Sequence, residues 1–119
     1  MGTNPLHLVS SASPAGFREI APDAVSRHAG DTRIIDVREP SEWNDALGHI
    51  AVAELVPLGT VTTQAAGWDR DRSIILVCRS GGRSARAAMA LKAMGFEDVY
   101  NMTGGMMGWN AAGLPVQRG

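Results

Sequence analysis

One short stretch of the sequence, CRSGGRS at positions 78–84, combines residue types that could activate a thiol. Cys78 is the only cysteine, and it ends the apolar run SIILV just before two arginines and two glycines. A segment with an alanine-rich helical pattern follows, and the first turn of a helix offers backbone N–H groups to an anion. Arg79 and Arg83 add full positive charge beside the thiol. We therefore predict that Cys78 favours the thiolate at neutral pH and acts as a catalytic nucleophile.

The same stretch supplies groups that could hold the negative charge of a substrate. The two glycines are expected to let the backbone curl, so that successive N–H groups point inward and form an anion-binding nest. The predicted substrate-binding residues are Arg79, Ser80, Gly81, Gly82, Arg83 and Ser84. Two simpler interpretations stay open at this point. A lone cysteine after an apolar strand is often only a small buried residue, and a glycine-rich turn can bind phosphate without a covalent step.

The segments around this loop alternate between strand and helix patterns. Strands are predicted in FREI (a short edge strand), TRIIDV, AELVPL, RSIILV and EDVYNM. Helices are predicted in APDAVSRHAGD, in a short segment from Ser41, in GTVTTQAAGW, over residues 84–94 and in MMGWNAAG. This order predicts a single doubly wound α/β domain, with a mainly parallel central sheet of about five strands flanked by helices. Ligands of such sheets bind at the carboxyl ends of the strands, where Cys78 is expected to lie.

Composition excludes several classes of function. The chain has 119 residues, and its net charge of −1 gives no electrostatic reason to expect nucleic acid or an anionic membrane as a partner. One cysteine cannot form an intramolecular disulfide, no spacing of residues suits a metal, and no cofactor is expected. Residues 1–16 are expected to be a mobile leader without the features of a secretory signal, and residues 17–119 the domain. Without a membrane span or targeting signal, we expect the protein in the cytoplasm.

Four segments resemble the rhodanese-like sulfurtransferase family, and they occur in the family's order. They are IIDVREPSEW, GHIAVAELVPL, CRSGGRS and VYNMTGGMMGWNAAGLPV, and together they span about residues 17 to 116. The resemblance implies a rhodanese-like fold and a persulfide on Cys78. It implies a sulfane sulfur taken from thiosulfate or from a persulfide or polysulfide donor. The acceptor would be a thiol, cyanide or a protein cysteine.

Asp36 and Arg38 are predicted to end a strand at the same sheet edge as Cys78. By the resemblance, this Asp-Val-Arg motif supports the active-site region through hydrogen bonds and ion pairs. A buried pair that only fixes neighbouring loops is an equally simple interpretation. The chain departs from the family after GHI, where Val52 stands in place of a glycine and could strain or shift the local backbone.

Two alternatives to sulfur transfer follow from the same resemblance. Related cysteine phosphatases and arsenate reductases place five residues between their cysteine and arginine, whereas four lie between Cys78 and Arg83. Ser84 stands where the longer loop has its arginine, and Val77 precedes the cysteine where those enzymes often have histidine. The shorter loop favours a bowl that fits one sulfur atom over one that fits a tetrahedral oxyanion. The second alternative is a binding module that holds a sulfur-carrier partner without turnover.

Overall fold

A six-stranded sheet organises this computed structural model, which describes residues 5–118. Its strands are β1 (Ser10–Ala12), β2 (Arg18–Ile20), β3 (Arg33–Asp36), β4 (Glu54–Leu55), β5 (Ile74–Val77) and β6 (Val99–Met102). They lie in the order β1-β2-β6-β5-β3-β4. Only the β1–β2 pair is antiparallel, and the other neighbouring strands are parallel. The mainly parallel α/β fold expected from the sequence is therefore confirmed, with one strand more than expected.

Helices cover both faces of the sheet. They are α1 (Pro5–Leu8), α2 (Pro22–His28), α3 (Pro40–Trp43), α4 (Val61–Ala65), α5 (Gly82–Ala93) and α6 (Gly105–Ala111), with a 3-10 turn at Leu58–Thr60. Alternate residues of β5 pack on opposite faces: Ile74 and Leu76 join the apolar cluster beneath α4 and α5, whereas Ile75 and Val77 join the cluster beneath α2 and α6. All four have no exposed surface, as expected for the central strand of a parallel sheet. None of the described helices is long and apolar enough to cross a bilayer.

The segment before β2 differs from the mobile leader expected over residues 1–16. From Pro5 onward it forms α1 and β1, and Leu6 is only 1% exposed in the apolar core. Strand β1 pairs with β2 in the register Ser10↔Ile20, so the FREI segment lies inside the sheet and not at its edge. The serines and alanines of β1 gave no strand pattern because its side chains are mostly exposed and pairing is through the backbone. Residues 1–4 lie outside the described range, and the domain boundary at residue 17 stays a prediction.

Two other expectations about the backbone change. The AELVPL segment forms only the two-residue strand β4, because Pro57, two residues beyond its end, caps a 3-10 turn that begins at Leu58. Val52 introduces no left-handed strain, since only glycines have positive φ among the described residues, and its side chain is 73% exposed.

Gly105 allows α6 to approach the loop that follows β5. Its φ is +56°, and a Cβ at this position would lie 2.5 Å from the carbonyl oxygen of Cys78. The next two backbone N–H groups donate to this loop: Met106 to the Cys78 carbonyl (2.8 Å) and Met107 to the Arg79 carbonyl (3.0 Å). The cysteine loop is therefore held from outside by the start of α6, and only glycine fits at the contact.

We predict that Gly105→Ala lowers the free energy of unfolding by about 2–5 kcal/mol, because it adds a backbone clash to the strain of positive φ. Gly113→Ala is the matched control, since Gly113 has φ +73° but nothing within 4 Å of an added Cβ. The control should lose only about 1–2 kcal/mol. Urea unfolding of both variants measures the difference, and equal losses would show that the close contact at Gly105 is not what matters.

Candidate active site

Cys78 lies at the carboxyl end of β5, in the loop that leads into α5, and is 1% exposed. Hydrogen-bond donors of the loop and of α5 surround its sulfur. The backbone N–H of Gly81 donates to Sγ across 3.0 Å, and the Ser84 hydroxyl lies 3.3 Å from Sγ. Ser80 is exposed, and its backbone N–H also acts on the thiol. The structure thus brings backbone donors of the predicted loop to the Cys78 sulfur, and the anion-binding role of the loop stays a prediction.

Burial and hydrogen bonding oppose each other at this sulfur. Burial raises the pKa of the Cys78 thiol and is the largest single influence, because it removes the thiolate from water. The Ser84 hydroxyl and the backbone N–H groups of Ser84, Gly81 and Ser80 lower the pKa, and together they hold it below the ordinary value. The thiolate is therefore stabilised mainly by directed hydrogen bonds, with the Arg83 charge within electrostatic reach.

The two glycines of the loop are not equivalent. Gly81 has φ +109° and caps the start of α5, so the turn toward the sulfur needs a residue without a Cβ. Gly82 is the first residue of α5, and an added Cβ would meet nothing within 4 Å. The expectation that both glycines curl the loop is therefore wrong for Gly82, which is already helical and exposed.

Arg83 is held by an acidic partner that the sequence did not suggest. Its guanidinium makes two hydrogen bonds to the Glu42 carboxylate, at 2.7 and 2.9 Å. These bonds are the main cause that lowers the pKa of Glu42 from 4.5 to about 2, against the opposing effect of burial. The two residues are 41 positions apart, so no local pattern links them. The positive charge of Arg83 is largely neutralised by this pair, and its position is fixed.

Arg79 keeps its charge at the mouth of the loop. Its side chain is exposed, and its guanidinium donates to the thioether of Met107 across 3.6 Å. A thioether is an uncharged and weak acceptor, so this contact orients the guanidinium without neutralising it. The two arginines that look alike in the sequence therefore differ in the charge they offer to a ligand.

Asp36 and Arg38 form a fully buried ion pair behind the site. Arg38 donates to both Asp36 oxygens, at 2.9 Å through Nε and 2.7 Å through Nη2, and neither side chain is exposed. The Arg38 guanidinium also donates to the backbone carbonyls of Glu42 (3.1 Å) and Gly48 (2.8 Å). The pair thus fixes α3, which carries the Glu42 partner of Arg83. The supporting role expected for Asp36 and Arg38 stays a prediction. If they have that role, they act on the site by holding α3 and, through Glu42, Arg83.

Asn101 is a buried polar residue of the site that the sequence analysis missed. It lies in β6 and is 4% exposed, and its Oδ1 accepts the Ser84 hydroxyl at 2.5 Å. Its Nδ2 donates to the Gly81 carbonyl (3.3 Å) and lies 3.5 Å from a carboxylate oxygen of Glu19. The available signal was an asparagine within the otherwise apolar VYNM strand, because a buried amide requires partners.

Comparison with known proteins defines the class. The family model described as Rhodanese-like domain matches residues 21–112, and the chain therefore belongs to the rhodanese-like domain family. A protein of Staphylococcus aureus described as a rhodanese-like domain protein has a similar structure, with a TM-score of 0.71 and 29% identity over 83% of this chain and 97% of that one. The family resemblance and the fold class expected from the sequence are both confirmed.

Several relatives carry names that refer to sulfur transfer. A protein named Sulfurtransferase from Allochromatium vinosum is 33% identical over 101 residues, which cover 82% of this chain and 92% of that protein. Thiosulfate sulfurtransferase GlpE of Pseudomonas aeruginosa is 31% identical over 80% of this chain and 86% of its own length. The probable adenylyltransferase/sulfurtransferase MoeZ of Mycobacterium tuberculosis is 38% identical over 64% of this chain, but the match spans only 19% of that longer protein.

We predict that Gly81→Ala shifts the pH profile of Cys78 alkylation upward, because strain at positive φ moves the Gly81 N–H away from the sulfur. It should also lower the free energy of unfolding by about 1–2 kcal/mol. Gly82→Ala is the matched control in the neighbouring position and should leave the alkylation profile unchanged. Iodoacetamide modification measured against pH gives the profile. A shift of the same size in both variants would contradict the assignment of the turn to Gly81 alone.

The Arg83–Glu42 ion pair should stabilise the fold in a pH-dependent way. Because folding depresses the pKa of Glu42, the pair contributes fully above pH 4.5 and is lost as pH falls from 4.5 toward 2. We expect Glu42→Gln to cost about 1 kcal/mol at pH 7, a difference that shrinks through this window. Urea unfolding at several pH values measures it, with exposed Glu97→Gln as control. A difference that stays constant down to the lowest pH at which the protein folds would contradict the prediction.

Proposed function

We propose that the protein is a sulfurtransferase that carries a sulfane sulfur as a persulfide on Cys78. The observation that carries the proposal is the 3.0 Å hydrogen bond from the Gly81 backbone N–H to the Cys78 sulfur. A buried thiol surrounded by donors is suited to form a stabilised thiolate and then to hold a second negatively charged sulfur. Membership of the rhodanese-like family and the sulfurtransferase names of several relatives support the same chemistry.

In the loading step, the Cys78 thiolate attacks the outer sulfur of thiosulfate. A bond forms between Sγ and that sulfur, and the bond between the two sulfurs of thiosulfate breaks. The leaving sulfite takes the electron pair, and the transferred sulfur stays on Cys78 with one negative charge. A persulfide or polysulfide donor reacts in the same way and releases a thiolate or a shorter polysulfide. No proton or external oxidant is needed once Cys78 is deprotonated.

The backbone N–H groups, Arg79 and Arg83 have different roles in this step. The backbone N–H groups of residues 79–84 form the nest for the transferred sulfur, because the first turn of α5 directs its N–H groups toward the site. Arg79, exposed and not neutralised by Met107, attracts the anionic donor and stabilises the leaving anion. Arg83, paired with Glu42, shapes the loop more than it supplies charge.

In the discharge step, a nucleophilic acceptor attacks the outer sulfur of the persulfide. The bond between the two sulfurs of Cys78 persulfide breaks, and Sγ leaves as the thiolate that the loop stabilises. A small thiol, cyanide or a cysteine of a protein acceptor can supply the electron pair. The same donors that favour the attacking thiolate therefore also make Cys78 a competent leaving group.

The proposal predicts that thiosulfate adds one sulfur atom to the reduced protein and that Cys78→Ser abolishes this addition. Intact-mass measurement detects the adduct, and a thiol or cyanide should remove it with release of persulfide or thiocyanate. Transfer by Cys78→Ser should fall to the uncatalysed rate. The proposal would be overturned if Cys78→Ser still gained the sulfur atom. It would also be overturned if the wild type gained none from thiosulfate, from a persulfide or from a polysulfide.

The same samples distinguish the other two functions. Substantial hydrolysis of an aryl phosphate or reduction of arsenate would replace sulfur transfer with oxyanion chemistry. Retention of a sulfur-carrier partner by both wild type and Cys78→Ser, without any turnover, would instead identify a binding module.

A further inference from the structure

We propose that Asn101 is a positioning residue that competes with the Cys78 sulfur for the single proton of the Ser84 hydroxyl. Through this competition, Asn101 would set the balance between loading of sulfur onto Cys78 and its discharge. The inference rests on the proposed function for its consequence in turnover. The competition itself is a property of the resting site.

The orientation of the Asn101 amide is fixed by its surroundings. Its nitrogen lies between two oxygen acceptors, the Gly81 carbonyl at 3.3 Å and the Glu19 carboxylate at 3.5 Å. Strand β2 pairs with β6 in the register Glu19↔Asn101, so the sheet itself places these two side chains side by side. The reversed amide would direct its oxygen at both acceptors, and the carbonyl oxygen is therefore held toward Ser84.

The Ser84 hydroxyl has more acceptors within reach than it has protons. Its oxygen lies 2.5 Å from Asn101 Oδ1, 3.3 Å from Cys78 Sγ and 3.3 Å from the Gly81 carbonyl. Ser84 and Asn101 are 0% and 4% exposed, so competition from bulk water is limited. A hydroxyl donates one hydrogen bond at a time, and the shortest of these contacts is the one to Asn101.

The charge on Cys78 decides which acceptor receives this proton. When Cys78 is a thiol, Ser84 can donate to Asn101 and accept the S–H of Cys78. When Cys78 is a thiolate, Ser84 turns to the sulfur because a charged acceptor binds the proton more strongly, and the buried Asn101 oxygen loses its donor. In the persulfide the inner sulfur is uncharged, and Ser84 can return to Asn101.

This coupling favours the loaded form of the protein. The lost hydrogen bond at Asn101 destabilises the free thiolate relative to both thiol and persulfide. A less stable thiolate attacks a sulfur donor faster and leaves more slowly. Asn101 therefore promotes loading and retards discharge, in opposition to the backbone donors that stabilise the thiolate.

The charged groups near Cys78 come from five parts of the fold, and the test must separate them from Asn101. They are Arg79 in the loop, Arg83 on α5, Glu42 on α3, Asp36 and Arg38 at the end of β3, and Glu19 on β2. Replacement of Asn101 by a neutral residue leaves every one of these charges in place. A change in the behaviour of Cys78 then reports the amide and its partner Ser84.

The test compares Asn101→Leu with Asn101→Asp in the pH profile of Cys78 alkylation, which needs no sulfur donor. The leucine side chain has no hydrogen-bond acceptor, so the Ser84 hydroxyl is free to donate to the Cys78 sulfur. The profile should move to lower pH, with alkylation below the wild-type midpoint about two- to fourfold faster. Aspartate accepts the Ser84 proton more strongly and adds negative charge, so its profile should move to higher pH. Damage to the fold would move both profiles in one direction, and that result would overturn the proposal.

Ser84→Ala provides the second arm of the experiment. In this background no hydroxyl remains to be shared, and Asn101→Leu should no longer shift the profile. If Asn101→Leu shifts the alkylation profile as much in the Ser84→Ala background as in the wild type, Asn101 acts without Ser84, and the proposal is overturned. If the leucine variant does not fold, Asn101→Asp takes its place. Its upward shift of the alkylation profile should then be smaller in the Ser84→Ala background than in the wild type. A shift of equal size in both backgrounds would overturn the proposal.

Single-turnover kinetics with thiosulfate give the consequence for sulfur transfer. Above the midpoint of the profile, where Cys78 is fully deprotonated, Asn101→Leu should load about two- to threefold more slowly and discharge correspondingly faster. Absence of a persulfide in the wild type would refute the proposed function and leave the alkylation result standing. A normal persulfide with unshifted alkylation profiles would refute the role of Asn101 alone.

Discussion

The buried sulfur of Cys78 imposes the constraint on which the rest of the site depends. A thiolate withdrawn from water is disfavoured unless hydrogen-bond donors replace the lost solvent. Burial is the largest single influence on the pKa of the Cys78 thiol, and it acts to raise that pKa. The fold meets the requirement with backbone N–H groups and one hydroxyl, at a point where a strand ends and a helix begins. Backbone donors cost little to organise once the turn exists, because the helix already leaves its first N–H groups without intrahelical acceptors.

A turn of this kind must be held in place by neighbouring elements. On one side, the N–H groups that start α6 donate to the carbonyls of Cys78 and Arg79, and Gly105 makes the approach close enough. On the other side, the buried Asp36–Arg38 pair fixes the backbone of α3, from which Glu42 reaches Arg83. The first support ends on the loop itself, and the second ends on Arg83 in the first turn of α5. The ion pairs therefore contact the elements around the loop, whereas the hydrogen bonds from Gly81 and Ser84 reach the sulfur itself.

The limits of sequence reasoning follow from the range of each interaction. The cysteine loop, the buried β5 and the helix after it were predictable because each is a local pattern in consecutive residues. Glu42 was not, because its partner lies 41 positions away and its capping role in α3 gives a sufficient local explanation. Asn101 could only be marked as an unusual residue in an apolar strand, since its partners come from β2 and α5. Strand β1 escaped notice because pairing at a sheet edge requires little of its side chains.

The neutralised state of Arg83 bears on how the proposed transfer can turn over. Two unneutralised arginines beside a backbone nest would bind a doubly charged leaving anion tightly and slow its release. The bidentate pair with Glu42 offsets much of one charge and holds the Arg83 guanidinium in a fixed position. Arg79 then supplies charge only at the exposed mouth, where water and salt screen it. In the proposed reaction, donors would be selected by the fit of one sulfur to the nest, and their anionic remainder would leave through a mouth of moderate positive charge.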